Sequence, residues 1–173
     1  MTFDDSIVQT QYLSPLGAMT LAATQAGLAG VWFEGQRHLP AGLDSPSSWP
    51  VNAAHPVLKQ TAQQLTEYFA GQRNVFDLKL DLSGGTAFQQ AVWQALLGIA
   101  PGQTSSYGNV SKTSGNAAAV RAVGAAVGRN PISIIVPCHR VLGADGSLTG
   151  YAGGFDRKTA LLKLEGALTE NLF

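Results

Sequence analysis

The sequence predicts an α+β protein with two domains, a small N-terminal domain of strands and one helix, followed by a mainly helical C-terminal domain. Short β-prone segments lie in the first half of the chain and helical periodicities in the second. Ser83-Gly84-Gly85 separates the two patterns, so the predicted domains are residues 1–85 and 86–173. With 45% hydrophobic and 13% charged residues, the chain can bury a core.

The N-terminal domain is predicted to hold four strands and a helix. The strands are expected at residues 7–12, 19–23, 28–34 and, from the alternation of apolar side chains, 75–82. Residues 35–55 have no hydrophobic period and are predicted to be irregular. Pro56 suits the first position of a helix that runs to Gly71.

The C-terminal domain is predicted to contain a helix-turn-helix. A first helix covers residues 86–97. Ser105 or Ser106 can then cap a helix over 107–113, and a further helix covers 117–127 after the turn at Gly115-Asn116. Two short helices joined by a glycine turn are typical of this motif, but many helical hairpins bind nothing.

The second helix of this pair consists almost entirely of alanine, glycine and valine, with Arg121 as the long charged residue in its middle. Small side chains allow either tight packing against the core or close approach to a DNA groove with one arginine projecting. Composition alone favours packing.

The charge of the chain is divided unevenly. Residues 1–85 carry four basic and seven acidic side chains, and residues 86–173 carry seven basic and four acidic ones. The second half can therefore contact phosphates, although the imbalance is small. There is no apolar run of about 18 residues and no basic N-terminal region before an apolar stretch, so we expect a cytoplasmic protein without a membrane partner.

Cys138 is the only cysteine, which excludes an internal disulfide and a thiolate-rich zinc site. The histidines are scattered, and we expect neither a metal nor a cofactor. Four of the five residues at 132–136 are β-branched, which predicts a buried strand that stops at Pro137, directly before Cys138-His139-Arg140. Cys138 is then either a small core residue or a nucleophile whose thiolate form is favoured by positive charge on its neighbours.

Several motifs carry a resemblance to one family. Pro137-Cys138-His139-Arg140, preceded by Asn130-Pro131 and followed by 150–154 (sequence GYAGG), resembles the O6-alkylguanine-DNA alkyltransferases, also called methylated-DNA–protein-cysteine methyltransferases. Further motifs fall in the family's order at Ser106-Tyr107, 121–124 and 164–166. The resemblance covers about residues 88–166 and implies a ribonuclease H-like N-terminal domain.

The resemblance also implies a catalytic set. Cys138 would be the nucleophile and alkyl acceptor. His139 would act as a base through a water molecule, oriented by Glu165, while Asn130 would hold the backbone and tune the thiol. Tyr107 would donate a proton to the departing guanine.

A second set of residues is implied to bind DNA and the extruded base. Arg121 would take the place of the flipped nucleotide, with the recognition helix in the minor groove. The surrounding DNA contacts would come from Ser106, Ala119, Val120, Ala122, Gly124 and Ala125. Backbone groups of Cys138, Val141, Tyr151 and Ala152 would read the base, and Lys158 would lie near the pocket rim.

The implied function is direct, single-turnover repair of O6-alkylguanine in double-stranded DNA, with O4-alkylthymine as a further candidate substrate. The product is a thioether, which has no good leaving group, and the chain has no second cysteine to release it. We expect a monomer and leave cooperative binding along DNA open.

The chain departs from the family pattern at three positions. Ala117 replaces a frequent proline, Val120 a smaller residue, and Ala152 a serine found in some members. Two rival functions are a transcription regulator with an inert cysteine and a Cys-His hydrolase. Adjacent Cys138 and His139 suit the hydrolase poorly, because a catalytic pair normally converges from separate segments.

Overall fold

The computed structural model of the protein describes residues 1–43 and 48–168. The chain forms two compact units, Met1–Gly85 and a second that starts at Thr86. The first is built on a sheet and the second is mainly helical, so the predicted α+β class is confirmed.

The first unit contains an antiparallel sheet covered by a helix. Strands β1 (Val8–Ser14), β2 (Gly17–Thr24) and β3 (Gly27–Phe33) pair in chain order. Helix α1 (Pro56–Phe69) packs on all three strands, with Pro56 in its first turn. These three strands and the helix confirm the predictions made from hydrophobic pattern and turn residues.

The predicted strand over 75–82 is wrong. Only Leu80 forms a β-bridge there, to Leu28 of β3. Asp77 is held instead by a side chain, because Gln64 of α1 accepts from its N–H at 2.9 Å and donates to its carbonyl at 3.0 Å. The alternating apolar residues 76, 78 and 80 are half-buried, with the Phe76 ring 5.4 Å from the Tyr68 ring of α1, but they do not form a strand ladder.

The stretch at 35–55 has little regular structure where it is described. It includes a 3-10 turn at Ala41–Leu43 and a bridge from Val51 to Gln9 of β1. Residues 44–47, which the irregular prediction also covers, lie outside the described residues.

A buried carboxylate lies near the C-terminal end of the first unit. Asp81 accepts hydrogen bonds from Thr24 Oγ1 at 2.6 Å and from Ser83 Oγ at 2.5 Å. Burial raises the pKa of Asp81, but the hydrogen bonds from Ser83 and Thr24 outweigh it and leave the pKa lowered.

The second unit contains the two predicted short helices, the first of them at its predicted position. Its elements are α2 (Ala87–Leu97), β4 (Ser105–Ser106), α3 (Tyr107–Thr113), α4 (Val120–Gly128), β5 (Val141–Leu142) and α5 (Phe155–Leu164). Thr86 and Gln89 form a capping box on α2, and Ser106 caps α3 through the N–H of Asn109. Parallel pairing of β4 with β5 joins the segment before α3 to the segment after Cys138. None of the helices in the described ranges is long and apolar enough to cross a bilayer.

Helix α4 begins three residues later than predicted. Ser111 Oγ donates to the carbonyl of Asn116, and the N–H of Ala119 bonds to the same carbonyl, which keeps residues 114–119 in a turn. Asn116, which could cap a start at 117, directs its side-chain amide to Ser114 O at 3.0 Å, and Ala119 at the observed cap makes no side-chain hydrogen bond. Once formed, α4 is fixed to α2 by the Trp93 Nε1 hydrogen bond to Ala126 O at 2.8 Å.

The predicted strand over 132–136 is also wrong, although the segment is buried. The backbone turns there, with Ile134 at a φ of 74° and Val136 N–H donating to Ile132 O at 3.0 Å. A β-branched run is typical of buried segments as well as of strands, and none of the strands within residues 1–43 and 48–168 forms a ladder with this one. The turn leads into a 3-10 turn at Cys138–Arg140.

Candidate active site

One side-chain amide organises the approach to the cysteine. Asn130 Nδ2 donates to Val136 O at 2.8 Å and to Cys138 Sγ at 3.1 Å, and Asn130 Oδ1 accepts from the N–H of Ile132 at 3.0 Å. Pro131 follows Asn130 directly. The same amide therefore closes the buried turn and fixes the sulfur at its end.

The sulfur of Cys138 is only slightly accessible, with the residue 5% exposed. Burial raises the pKa of the Cys138 thiol, while the Asn130 hydrogen bond and the positive charge of Lys158 act in the opposite direction without cancelling it. The resting group is therefore a thiol. The expectation that His139 and Arg140 favour the thiolate is wrong, because both are turned to another partner.

That partner is Glu165, at the end of α5. The His139 imidazole is completely buried, and its Nε2 lies 3.0 Å from both carboxylate oxygens. Burial lowers the pKa of His139 and Glu165 works against the change, so the imidazole is neutral at physiological pH. His139 Nδ1 has no hydrogen-bond partner among the described residues.

Arg140 binds the same carboxylate. Its Nε and Nη2 donate to Glu165 Oε1 and Oε2, each at 2.8 Å, and its Nη1 donates to Ile99 O at 2.6 Å. From the sequence, Arg140 was predicted only to place a positive charge next to the cysteine. Its place in a buried apolar run was the available signal, since a buried arginine needs a buried acceptor.

Lys158 on α5 lies inside the protein and not at a pocket rim as the resemblance implied. It is completely buried, and its Nζ donates to Val141 O at 2.6 Å and Thr149 O at 3.1 Å. Burial lowers the pKa of Lys158 to about 8, while Cys138 acts to raise it. Lys158 thus ties together the two ends of the loop at 142–148.

Two tyrosines, Tyr107 and Tyr151, lie close to residues of this site. Tyr107, the first residue of α3, has its hydroxyl 3.4 Å from Gly150 O, and a Cβ at Gly124 of α4 would lie 3.8 Å from its ring. The Tyr151 hydroxyl is buried near Ser133 without a hydrogen bond of normal geometry. Burial raises the pKa of Tyr151 well above its ordinary value, and Cys138 acts in the same direction.

Most of the residues expected to bind DNA lie on the open side of α4. Val123, Ala126 and Val127 are buried, whereas Val120, Arg121, Ala122 and Ala125 are exposed. Ala119, Gly124 and Ser106 are half-buried; Gly124 faces the Tyr107 ring, and Ser106 caps α3. Half-buried Ala152 follows Tyr151, whereas Val141 is fully buried and its carbonyl accepts from Lys158.

The second unit therefore brings Cys138, Asn130, His139, Glu165 and Lys158 into one connected cluster, with Tyr107 joining it through the 149–150 backbone. Arg121 is not part of this cluster in the contacts above. The fold and the site together define a class: a helix-turn-helix protein with one buried cysteine that can serve as a nucleophile.

Comparison with known proteins narrows that class. Residues 7–82 match the 6-O-methylguanine DNA methyltransferase ribonuclease-like domain, and residues 87–167 match the DNA binding domain of the same family. A Methanosarcina acetivorans protein named methylated-DNA–protein-cysteine methyltransferase is 48% identical over 89% of this chain and 95% of its own length. A Mycobacterium tuberculosis protein of the same name is 48% identical over 88% of each.

Solved structures agree. The crystal structure of Mycobacterium tuberculosis OGT in complex with DNA superposes with a TM-score of 0.79 at 45% identity, over 93% of this chain and 92% of that one. The methyltransferase from Pyrococcus kodakaraensis gives a TM-score of 0.63 at 25% identity, over 92% and 99%. The chain belongs to the 6-O-methylguanine DNA methyltransferase family, which confirms the resemblance found in its sequence.

Proposed function

We propose that this protein repairs alkylated DNA by direct reversal, moving the alkyl group from O6 of guanine to Cys138 in a single turnover. The observation that carries the proposal is the Asn130 hydrogen bond to Cys138 Sγ, next to the buried His139–Glu165 pair. The relatives' name supports it, because it specifies methylated DNA and a protein cysteine, and this chain has one cysteine.

The proposed step begins with a protonated thiol. His139, neutral and with Nδ1 available to accept, takes the Cys138 proton through a bound water molecule. The sulfur electron pair then forms a C–S bond to the alkyl carbon as the bond from that carbon to guanine O6 breaks. The bonding electrons pass to the guanine, and the products are S-alkylcysteine and guanine.

Tyr107 is proposed to protonate the departing guanine, which would otherwise leave as an anion. Its place at the start of α3, beside the Gly150 carbonyl, supports this role. Backbone groups of Cys138, Val141, Tyr151 and Ala152 would read the base. The tyrosinate left on Tyr107 is reprotonated, ultimately by the proton that His139 received.

Access to the alkyl carbon requires the nucleotide to leave the base stack, at a cost of roughly a few kcal/mol. Arg121, exposed on α4, is proposed to fill the gap, with the small residues of the same helix side lying against the duplex. The partner would be double-stranded DNA that contains O6-alkylguanine. We further propose a cytoplasmic protein that acts as a monomer, since one unit supplies the whole catalytic set.

Intact-protein mass spectrometry tests the proposal directly. The protein is mixed with a duplex oligonucleotide containing one O6-methylguanine, and both products are weighed. We expect one methylene-sized gain on the protein, an equal loss from the oligonucleotide, and no gain for Cys138→Ala. Binding without any mass change would favour a DNA-binding regulator, and repeated turnover with a released product would favour a hydrolase.

A further inference from the structure

We infer that Arg140 is a positioning residue for this reaction: by neutralising Glu165 it keeps the His139 imidazole uncharged, with Nδ1 as its accepting atom. The inference rests on the proposed function for its catalytic meaning. Arg140 acts through Glu165, and its three hydrogen bonds described above go to Glu165 and Ile99.

The geometry fixes the tautomer of His139. Arginine remains charged at any pH a protein experiences, and its two-pronged contact at 2.8 Å to each oxygen requires an ionised carboxylate. An ionised carboxylate only accepts hydrogen bonds, so His139 Nε2 must carry the hydrogen that points to Glu165. In a neutral ring the accepting nitrogen is then Nδ1.

The charges around His139 explain why the arginine matters. Glu165 favours the protonated ring, whereas burial and the positive charges of Arg140 and Lys158 oppose protonation. Without Arg140, a buried carboxylate facing a buried imidazole would hold a proton, and a protonated ring cannot accept one from Cys138. Lys158, whose pKa is about 8, cannot replace it in alkaline solution.

Burial and a backbone acceptor hold the Arg140 guanidinium in place beside Glu165. The residue is 5% exposed, and Ile99 O anchors the far end of the guanidinium at 2.6 Å. A buried ion pair is weakly screened by salt and cannot easily exchange Glu165 for water. Arg140 therefore acts, together with burial, on the protonation of the His139–Glu165 pair in every resting molecule.

The test compares Arg140→Met and Arg140→Lys with the parent protein, and uses Arg129→Met, an exposed arginine after α4, as the matched control. Single-turnover methyl transfer from an O6-methylguanine duplex is timed between pH 5 and pH 9, and the end-point mass gives the active fraction. In parallel, the His139 ring is titrated by nitrogen NMR, with a His139→Gln variant to assign its signals.

For Arg140→Met we expect the acid limb of the rate profile and the His139 titration to move to higher pH together. A movement of one pH unit lowers the rate on that limb by about tenfold. Arg140→Lys retains the charge and should restore most of the parent profile, and Arg129→Met should leave it unchanged. If Arg140→Met does not fold, Arg140→Lys is compared with a Glu165→Gln variant, whose His139 titration should move to lower pH.

Lower active fractions with an unmoved pH profile and an unmoved His139 titration would overturn the inference and leave Arg140 a structural residue. The same holds if the resting His139 ring carries its hydrogen on Nδ1. Failure of the proposed function is distinguishable, because the parent protein would then gain no mass while the NMR titration would still report on Arg140.

Discussion

At the scale of single residues, the reactive sulfur is balanced between opposing influences. Burial disfavours its anion, whereas the Asn130 amide and the Lys158 ammonium group favour it. Neither of these two groups is adjacent to Cys138 in sequence. The thiol thus stays protonated at rest and forms its anion only when a base removes the proton.

Replacing Lys158 with methionine should make Cys138 harder to ionise. The ammonium group is the positive charge that acts on the sulfur, so its loss raises the pKa of the thiol, and alkylation by iodoacetamide at pH 7 should slow on the order of tenfold. Because the pKa of Lys158 is about 8, the difference should shrink as the pH rises beyond it. Lys163→Met, an exposed site on the same helix, is the control. Equal pH profiles for both variants would remove Lys158 from this role.

The sequence could identify the nucleophile but not its surroundings. Cys138 and His139 stand in one short motif, whereas Glu165 and Lys158 lie on α5, more than a loop away, and came from the resemblance rather than from spacing. Periodicity cannot bring distant polar groups together in space. Arg140 was visible in the same motif, yet its partner became known only with the fold.

At the scale of elements, the helix pair α3–α4 combines an open outer side with tight internal packing. Gly124 faces the Tyr107 ring, and the residues beside it on α4 have small side chains. The starts of three helices were predicted correctly from the residues at their N-termini, which are Pro56, Thr86 and Ser106. The predicted start at 117 was wrong, because Asn116, which could cap it, turns its side-chain amide back to Ser114 O at 3.0 Å.

Arg121→Ala should separate DNA handling from chemistry. If Arg121 replaces the flipped nucleotide, transfer from a duplex should fall by about 10- to 100-fold, since the few kcal/mol of unstacking are no longer offset. Transfer from the free O6-methylguanine base should fall much less. Single-turnover rates on both substrates, with Arg129→Ala as the control, measure the difference. Equal losses on both would place Arg121 in the chemical step, and no loss on the duplex would remove it from DNA binding.

Gly124→Ala should stabilise the second unit. Glycine within a helix costs about 0.5–1 kcal/mol relative to alanine, and the added Cβ would meet the Tyr107 ring at an ordinary contact distance of 3.8 Å. Gly115→Ala is the opposite control, because Gly115 has a φ of 82°, where alanine is strained. Urea unfolding should rank Gly124→Ala above the parent and Gly115→Ala below it. A loss of stability for Gly124→Ala would mean that Tyr107 cannot accommodate the methyl group.

At the scale of the whole molecule, the chain has two units with separate cores and different charge. The first keeps an aromatic cluster of Phe3, Trp32 and Trp49, whose ring centroids lie 5.2–5.9 Å apart. The fold class could be predicted from hydrophobic composition and periodicity, because both depend on which side chains the fold buries. The two strands predicted wrongly, 75–82 and 132–136, are largely apolar segments; the first forms one bridge to Leu28 of β3, and the second bonds to a side chain and within its own turn.

The acid stability of the first unit should depend on Asp81. Its pKa is lower in the folded protein than in the unfolded chain, so it stabilises the fold above the unfolded value near 3.8, and this contribution disappears as the pH falls through the folded pKa. Asp81→Asn should therefore lower the free energy of unfolding at pH 7 by about 1–2 kcal/mol and flatten its decline below pH 4. Urea unfolding followed by tryptophan fluorescence measures both effects. Asp5→Asn, at an exposed site of the same unit, should behave like the parent; an unchanged acid profile for Asp81→Asn would contradict the prediction.

The Asn130-Pro131 pair has a consequence for how the protein ages. Asparagine side chains decay when the nitrogen of the following residue attacks the amide, forming a cyclic imide that hydrolyses to aspartate or isoaspartate. Proline has no backbone N–H to lose and cannot supply that nucleophile. The amide that holds the sulfur is therefore chemically durable, which suits a molecule that must wait unused, for an unpredictable time, before the one event that consumes it.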